Sequence, residues 1–401
     1  MPRPPRNRFL GLALAGGGPF GAIYEVGALA ALQESVEGLD LNALDCYVGV
    51  SAGSFIAAAL ANGIGIDEIR ASFIDGRPGA DAVRPDLFMR PALGEYARRA
   101  RSLPLLLARS AWRHATRPTG GALEWLAALG QAIPTGVFDN RAIGEHFQGI
   151  FSRPGRTDDF RELRRRLYVV ATDLDSGESV SFGRPGRDHV PISKAVQASS
   201  ALPGLFPPVE IDGRSFVDGA LRKTLHASEA LDDGMRLVIC VNPIVPFDAR
   251  TAARKGGPPH RRLVEGGLPV VLSQTFRAII HSRLTVGLSK YRSQYRGADV
   301  LLFQPAADDS EIFFTGLFGY ASRRRLCELA YQRTRSDLLA RAAELEPTLA
   351  RHGLKLRRRA LEEASVPRFS AWGLPEAAGN LRASLDELEA WIRTERAATS
   401  G

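Results

Sequence analysis

Ser51 stands between two glycines in the stretch "YVGVSAGSFIAAAL", a Gly-x-Ser-x-Gly arrangement. A serine in that setting is suited to acyl transfer. A sharp strand-to-helix turn presents its hydroxyl above a sheet, and small neighbours let the backbone turn. The flanks fit such an elbow: "DCYVGV" is an apolar strand-like run, and "AGSFIAAALANG" has helical character and ends at Gly63. A helix N-terminus also favours negative charge developing beside it. The same serine would serve equally as a plain N-cap, worth about 1 kcal/mol. The motif alone leaves both readings open.

A second feature is the loop "GGGPFG", residues 16–21. Gly16, Gly18 and Gly21 satisfy the dinucleotide-binding spacing G-x-G-x-x-G. That reading requires an acidic residue at the end of the following strand, where this chain has Gly-x-Ser instead, with Asp40 and Asp45 lying before the strand. Successive glycine amides at a helix start have another use, converging on one anionic oxygen such as that of a tetrahedral acyl intermediate.

The general base is harder to place. The chain has seven histidines. His189 falls in a loop, His226 after a turn, His260 in a basic loop and His281 on an amphipathic helix; each reads as a surface or structural residue. In "RSFVDGAL", a strand ends at Asp218 and Gly219 turns the chain. A carboxylate held there could accept a serine proton directly, although Asp-Gly is also a common turn pair.

The elements that must carry these residues alternate. "FLGLALA" reads as a short buried strand, followed by the glycine loop and a helix over "AIYEVGALAALQES". "DCYVGV" and "AGSFIAAALANG" repeat the pattern, which predicts an α/β sheet of mostly parallel strands. "RLYVVATDLDSGESVSFG" reads as two strands around a Ser-Gly turn, "RLVICVNP" as another strand, and "DVLLFQP" as the last one. The basic start and short apolar core of "MPRPPRNRFLGLALAGGG" imitate an export signal. That core is only one strand long, and cleavage near Ala15 would disrupt the glycine loop, so the first strand is the preferred reading and the chain is expected to be cytoplasmic.

Composition is ordinary for a globular protein: 401 residues, 45% hydrophobic and 24% charged. Three cysteines without close pairing argue against a disulfide framework, and nothing in their spacing suggests a metal site. No apolar run reaches the roughly 20 residues needed to span a bilayer. The net charge of +8 favours anionic surfaces. No aromatic or motif pattern supports nucleic-acid binding.

Taken together and in order, "GGGPFG", "GVSAGS" and "VDGA" resemble the patatin-like phospholipase family, and "ASSALPGLFPPV" is similar to the stretch that precedes that family's catalytic aspartate. The resemblance covers about residues 9–245 and continues recognisably through "LSQTFRAIIHSRLTVGLSKYR" and "EIFFTGLFGYASRRRL". It implies a patatin-like three-layer α/β sandwich with a mostly parallel central sheet, a helical insertion or cap, and a helical C-terminal extension. It also implies lipid acyl hydrolysis by a Ser–Asp dyad without histidine or cofactor. Carried over by position, Ser51 is the nucleophile, Asp218 the base, and the amides of Gly16, Gly17 and Gly18 the oxyanion donors. Gly21, Gly49, Gly53 and Gly219 support the turns.

The expected layout is a tail at 1–8, a catalytic domain at 9–320 with a cap-like insertion at 76–135 and a basic loop at 250–268, and an extension at 321–401. The implied partners are a phospholipid or other lipid ester, with peripheral membrane contact through the arginine- and leucine-rich segment 92–114 or the run "IFFTGLFGY". Calcium is not implied. One departure stands out: Phe20 occupies the place where the family's loop commonly carries Arg or Lys. It supports an alternative, a catalytically weak or silent lipid-binding scaffold that keeps the fold.

Overall fold

The computed structural model describes residues 9–76, 134–255, 262–315 and 322–363, with a few single positions between 87 and 101. Most of the 76–135 insertion, the 92–114 segment among it, lies outside the described residues. So do the tail at 1–8, the end of "IFFTGLFGY" and the helix-like stretch "NLRASLDELEAWIRTER".

Ten strands order the described chain: β1 (Leu10–Leu14), β2 (Val36–Glu37), β3 (Cys46–Val50), β4 (Arg166–Asp173), β5 (Ser179–Phe182), β6 (Val209–Ile211), β7 (Arg214–Asp218), β8 (Leu237–Val241), β9 (Asp299–Phe303) and β10 (Lys355–Leu356). The main sheet runs β6-β7-β4-β3-β1-β8-β9, and β5 also pairs with β4. The pairs β4–β3, β3–β1, β1–β8 and β8–β9 are parallel, whereas β5, β6 and β7 join antiparallel. The segment with the look of an export signal is thus β1, in the middle of the sheet. "DVLLFQP" is not the last strand, because β10 pairs with β2 in a separate antiparallel ladder. Two residues per strand are too few to leave a periodic signal in sequence.

The central strands are apolar at every position because both faces are covered, as parallel sheets require. Leu10, Leu12 and Leu14 enter one core with Tyr47, Ile239 and Phe303. Ala13, Val48, Val50, Val170 and Cys240 enter the other. The first face is covered by α1 (Gly18–Ser35), α2 (Ala52–Ala61), α3 (Arg141–Phe151) and α4 (Ile192–Ser199); the second is covered by α5 (Ala227–Asp232) and α6 (Gly267–Gln294). Residues of α7 (Arg323–Ala340), placed by sequence at the start of an extension, lie within the first core: Leu326, Cys327, Ala330 and Tyr331 are buried there. Helices α1 and α7 approach so closely that a Cβ at Gly27 would sit 2.3 Å from the Cys327 carbonyl oxygen.

Strand β4 sets where β3 and β7 meet. Val170 pairs with Val50, the last residue of β3, and the next position, Ala171, pairs with Asp218, the last residue of β7. On its opposite edge β4 pairs with β5 at the same level. Strand β7 therefore takes over the edge that β3 vacates as it turns into α2. Consecutive places on one strand thereby bring together Ser51, which follows Val50, and Asp218, 167 positions apart in sequence.

Candidate active site

Ser51 follows β3 directly in a backbone conformation that L-residues rarely adopt, φ 51° and ψ −124°, and α2 begins at the next residue. Such strain costs on the order of 1–3 kcal/mol and persists only where the surroundings impose it. The surroundings here do so. The Ser51 amide donates to Ser199 Oγ (2.8 Å), which in turn donates to the Val170 carbonyl (2.6 Å), while Ser54 N and Oγ both donate to the Ser51 carbonyl. The elbow also needs Gly53: a Cβ there would lie 2.6 Å from the Ala15 carbonyl oxygen, so only glycine lets β1 and α2 come together.

Asp218 arrives from β7. Its amide donates to the Ala201 carbonyl, and its own carbonyl accepts from Thr172 Oγ1. The side chain is divided between two donors. Oδ1 accepts the Ala220 amide at 2.8 Å, and Oδ2 accepts the Ser51 hydroxyl at 2.6 Å. The turn into Ala220 passes over β4 at Gly219, where a Cβ would meet the Val170 carbonyl oxygen at 2.3 Å. Both residues are buried, Ser51 at 6% and Asp218 at 3% exposure. Burial pushes the Asp218 carboxyl up to about 6 from its ordinary 3.8, against the lowering effect of its hydrogen bonds from Ser51 and Ala220.

The glycine loop borders the same point. A Cβ on Gly16 would lie 3.0 Å from those of Ser51 and Ala220. Gly17 stands at the start of α1, packed on Pro243, and accepts the Gly21 amide. Gly18 has φ 61° and is exposed. The amides of Gly16, Gly17 and Gly18 make no hydrogen bond among the described residues. Phe20 is half-buried and packs against the core of the first face.

The structure thus brings together Ser51, Asp218, Gly16 and Gly219 directly, with Gly49 and Gly53 shaping the elbow and Gly17, Gly18 and Gly21 the loop. Among the described residues it brings no histidine into hydrogen-bond contact with the pair. His226 is buried against the backbone of Gly219 and Lys223, and burial, aided by nearby Lys223, lowers its pKa to about 3, so it stays neutral. His189 pairs with Asp212 at the surface. Among the described residues no cluster of three or more His, Cys, Asp or Glu side chains could hold a metal ion, and no helix is long and apolar enough to cross a membrane.

Sequence reasoning missed Ser199 as the residue that ties the elbow to β4. Its only signal was the small-residue run "ASSALPG". It also missed Glu25, one turn beyond Gly21 and fully buried beside the backbone of Ala15, whose carboxyl burial drives well above the usual range.

A family model described as patatin-like phospholipase matches residues 12–231, over half of the chain and spanning both Ser51 and Asp218. The chain belongs to the patatin-like phospholipase family. An uncharacterized NTE family protein of Mycobacterium bovis is 27% identical over 236 residues, 59% of this chain and 30% of that protein. A second one from the same organism is 38% identical over 74 residues, 18% of this chain and 19% of the relative. The match therefore spans under a third of these relatives' length. Among solved structures, VipD from Legionella pneumophila is 18% identical, with a TM-score of 0.39, covering 83% of this chain and 66% of that one. A patatin-like phospholipase is expected to have a mixed, mostly parallel sheet between helical layers, and the topology above is of that kind.

Proposed function

We propose that this chain is a serine acyl-ester hydrolase acting on lipids, of phospholipase A or lysophospholipase type. The observation that carries the reading is the 2.6 Å hydrogen bond from Ser51 Oγ to Asp218 Oδ2, between two buried side chains with Gly16 of the glycine loop alongside. Asp218 takes the hydroxyl proton as Ser51 attacks the ester carbonyl. The carbonyl oxygen becomes an oxyanion held by amides of Gly16–Gly18. Collapse expels the alcohol, with Asp218 returning the proton, and leaves an acyl-enzyme. Water, deprotonated by Asp218, then releases the fatty acid. Each oxyanion donor is worth roughly 10²- to 10³-fold in rate.

Phe20 does not alter this scheme, because the donors are backbone groups and its ring packs into the core instead of standing in for a cation. Family membership supports the lipid-ester substrate class. The test is covalent labelling by a fluorophosphonate probe together with product analysis from defined phospholipids by mass spectrometry. Wild type is expected to be labelled and to release fatty acid. Ser51→Ala should lose both signals, and a Ser51→Ala protein that still hydrolyses would overturn the assignment. A folded wild type that neither labels nor hydrolyses would favour the silent scaffold.

A further inference from the structure

The net charge of +8 is not spread over the chain. Between Ala249 and Ala298 there are eight arginines and two lysines against Glu265 alone, a local net of +9, so the remainder nets −1. Within that stretch α6 contains no acidic residue at all. Its inward side is conventional: Val270, Leu284 and Tyr291 are buried. Its outward side is not. Leu268 is 69% exposed, Leu272 47%, Phe276 51% and Ile279 48%, with Val264 just before the helix at 62%. The spacing 268, 272, 276, 279 puts these on one helical face. An exposed apolar face of this kind, broken only by Thr275, whose hydroxyl is turned to the Val271 carbonyl, marks an interaction site.

Its position is set by the fold. Strand β8 ends at the active-site edge of the sheet, and the chain leaves through Pro243, which packs on Gly17. Gln274 of α6 both donates to and accepts from the Phe247 backbone, and Arg277 donates to the Val245 carbonyl. Arg283 donates to the Leu221 carbonyl, three residues beyond Asp218. The middle turns of α6 are therefore pinned to the segments that follow β8 and Asp218, with the apolar side turned outward. Exposed Arg250, Arg254 and Arg262 surround the same end, whereas Lys255 is paired with Asp308.

We propose that this face of α6, with its arginine rim, seats the protein on an anionic phospholipid leaflet and so presents the Ser51 pocket to the bilayer. Apolar side chains that enter the acyl boundary, ringed by cations that meet headgroups, are what such a surface recognises. A protein partner with an apolar groove would need acidic groups around it, and a second copy of this face would bring like charges together. The choice of lipid as occupant rests on the lipid-hydrolase reading, but the test does not.

The test uses the full chain carrying Ser51→Ala, so that no lipid is consumed, and co-sedimentation with phosphatidylcholine vesicles with and without phosphatidylglycerol. Binding is expected only with the anionic lipid and should weaken as salt rises. Leu272→Asp and Phe276→Asp, and the milder Leu268→Ser, should each weaken it, the aspartates by about tenfold or more. Arg250→Glu with Arg254→Glu should weaken it and flatten its salt dependence. Vesicle binding equal to the parent's in these variants overturns the proposal, as does a parent that ignores anionic vesicles. Light scattering that shows a dimer, split by Phe276→Asp with vesicle binding unchanged, assigns the face to a second copy instead. In the Ser51-bearing protein, Leu272→Asp and Phe276→Asp should leave soluble short-chain ester turnover within about twofold. Anionic binding without any ester turnover would sink the hydrolase reading alone.

Discussion

Replacing Asp218 with asparagine should destroy activity and strengthen the fold, and one number governs both effects. The Asp218 carboxyl sits at about 6 in the folded chain against 3.8 ordinarily, chiefly because burial penalises its charge. A difference of about two pH units, at about 1.4 kcal/mol each, is a cost of about 3 kcal/mol for keeping the carboxylate ionised. Below pH 3.8 the folded and unfolded chains both hold the proton, and nothing is lost. Between 3.8 and 6 the unfolded chain releases it first, so stability falls as pH rises. Above 6 both forms are ionised and the loss is complete. Asparagine is uncharged, can accept the Ala220 amide and can donate to Ser51 Oγ, so it keeps the geometry without the cost. Thermal or urea unfolding of wild type and Asp218→Asn from pH 4 to 8 should show curves that nearly coincide at pH 4 and part by up to about 3 kcal/mol in the mutant's favour at pH 8. Hydrolysis of a soluble ester by wild type should rise through the same value near 6 and then level off. His226→Gln should keep that limb, since His226 is neutral throughout this range. A stability gap that does not change with pH, or a limb that moves with His226, would refute the reasoning.

Three other outcomes follow from the geometry. Ser51→Gly should melt higher than Ser51→Ala, by about 1 kcal/mol or more, because glycine adopts φ 51° without strain; denaturant titration of the two inactive proteins checks it. Ser199→Ala removes the bridge between the Ser51 amide and the Val170 carbonyl, and should cost about 1–3 kcal/mol and lower kcat more than it changes KM, read from unfolding curves and ester kinetics. Gly16→Ala places a methyl 3.0 Å from Ser51 Cβ and should lower kcat by about 10²-fold if it turns one oxyanion donor away, with fluorophosphonate labelling slowed in parallel.

What sequence revealed of this site was whatever local chain chemistry dictates. An elbow announces itself because Gly49, Ser51 and Gly53 are adjacent, and an apolar β1 followed by three glycines does the same. The partner of Ser51 was accessible only through resemblance, since nothing local to Asp218 separates a base from an Asp-Gly turn. What decides is the register of β4, where Val50 and Asp218 occupy neighbouring places. Register is a property of strand pairing, and no single strand's sequence carries it. Ser199 was hidden for a related reason: its hydroxyl acts across three elements, α4, β3 and β4. Sequence places residues 323–340 at the start of a helical extension, yet Gly27 of α1 gives α7 a close seat on the core, a contact written half in each helix.

The proposed dyad raises the question of how a carboxylate can replace an imidazole. In water an aspartate at about 3.9 is too weak a base to draw a serine proton efficiently, whereas histidine at about 6.5 lies near working pH. Here the aspartate is buried, its neighbour Gly219 is packed on the Val170 carbonyl and the Val50 side chain, and its value rises to about 6. Burial thus gives Asp218 nearly the proton affinity of an imidazole while leaving it smaller and held by the Ala220 amide on its second oxygen. The two hydrogen bonds work against that rise by favouring the charged form. If desolvation were relieved, for instance by a polar substitution at Val50 that admits water, Asp218 would fall back toward 3.8 and become a weaker base while the distance to Ser51 stayed short. Proximity is therefore insufficient for this chemistry. The antiparallel entry of β7 against a strand already covered on both faces is what makes the base dry as well as close.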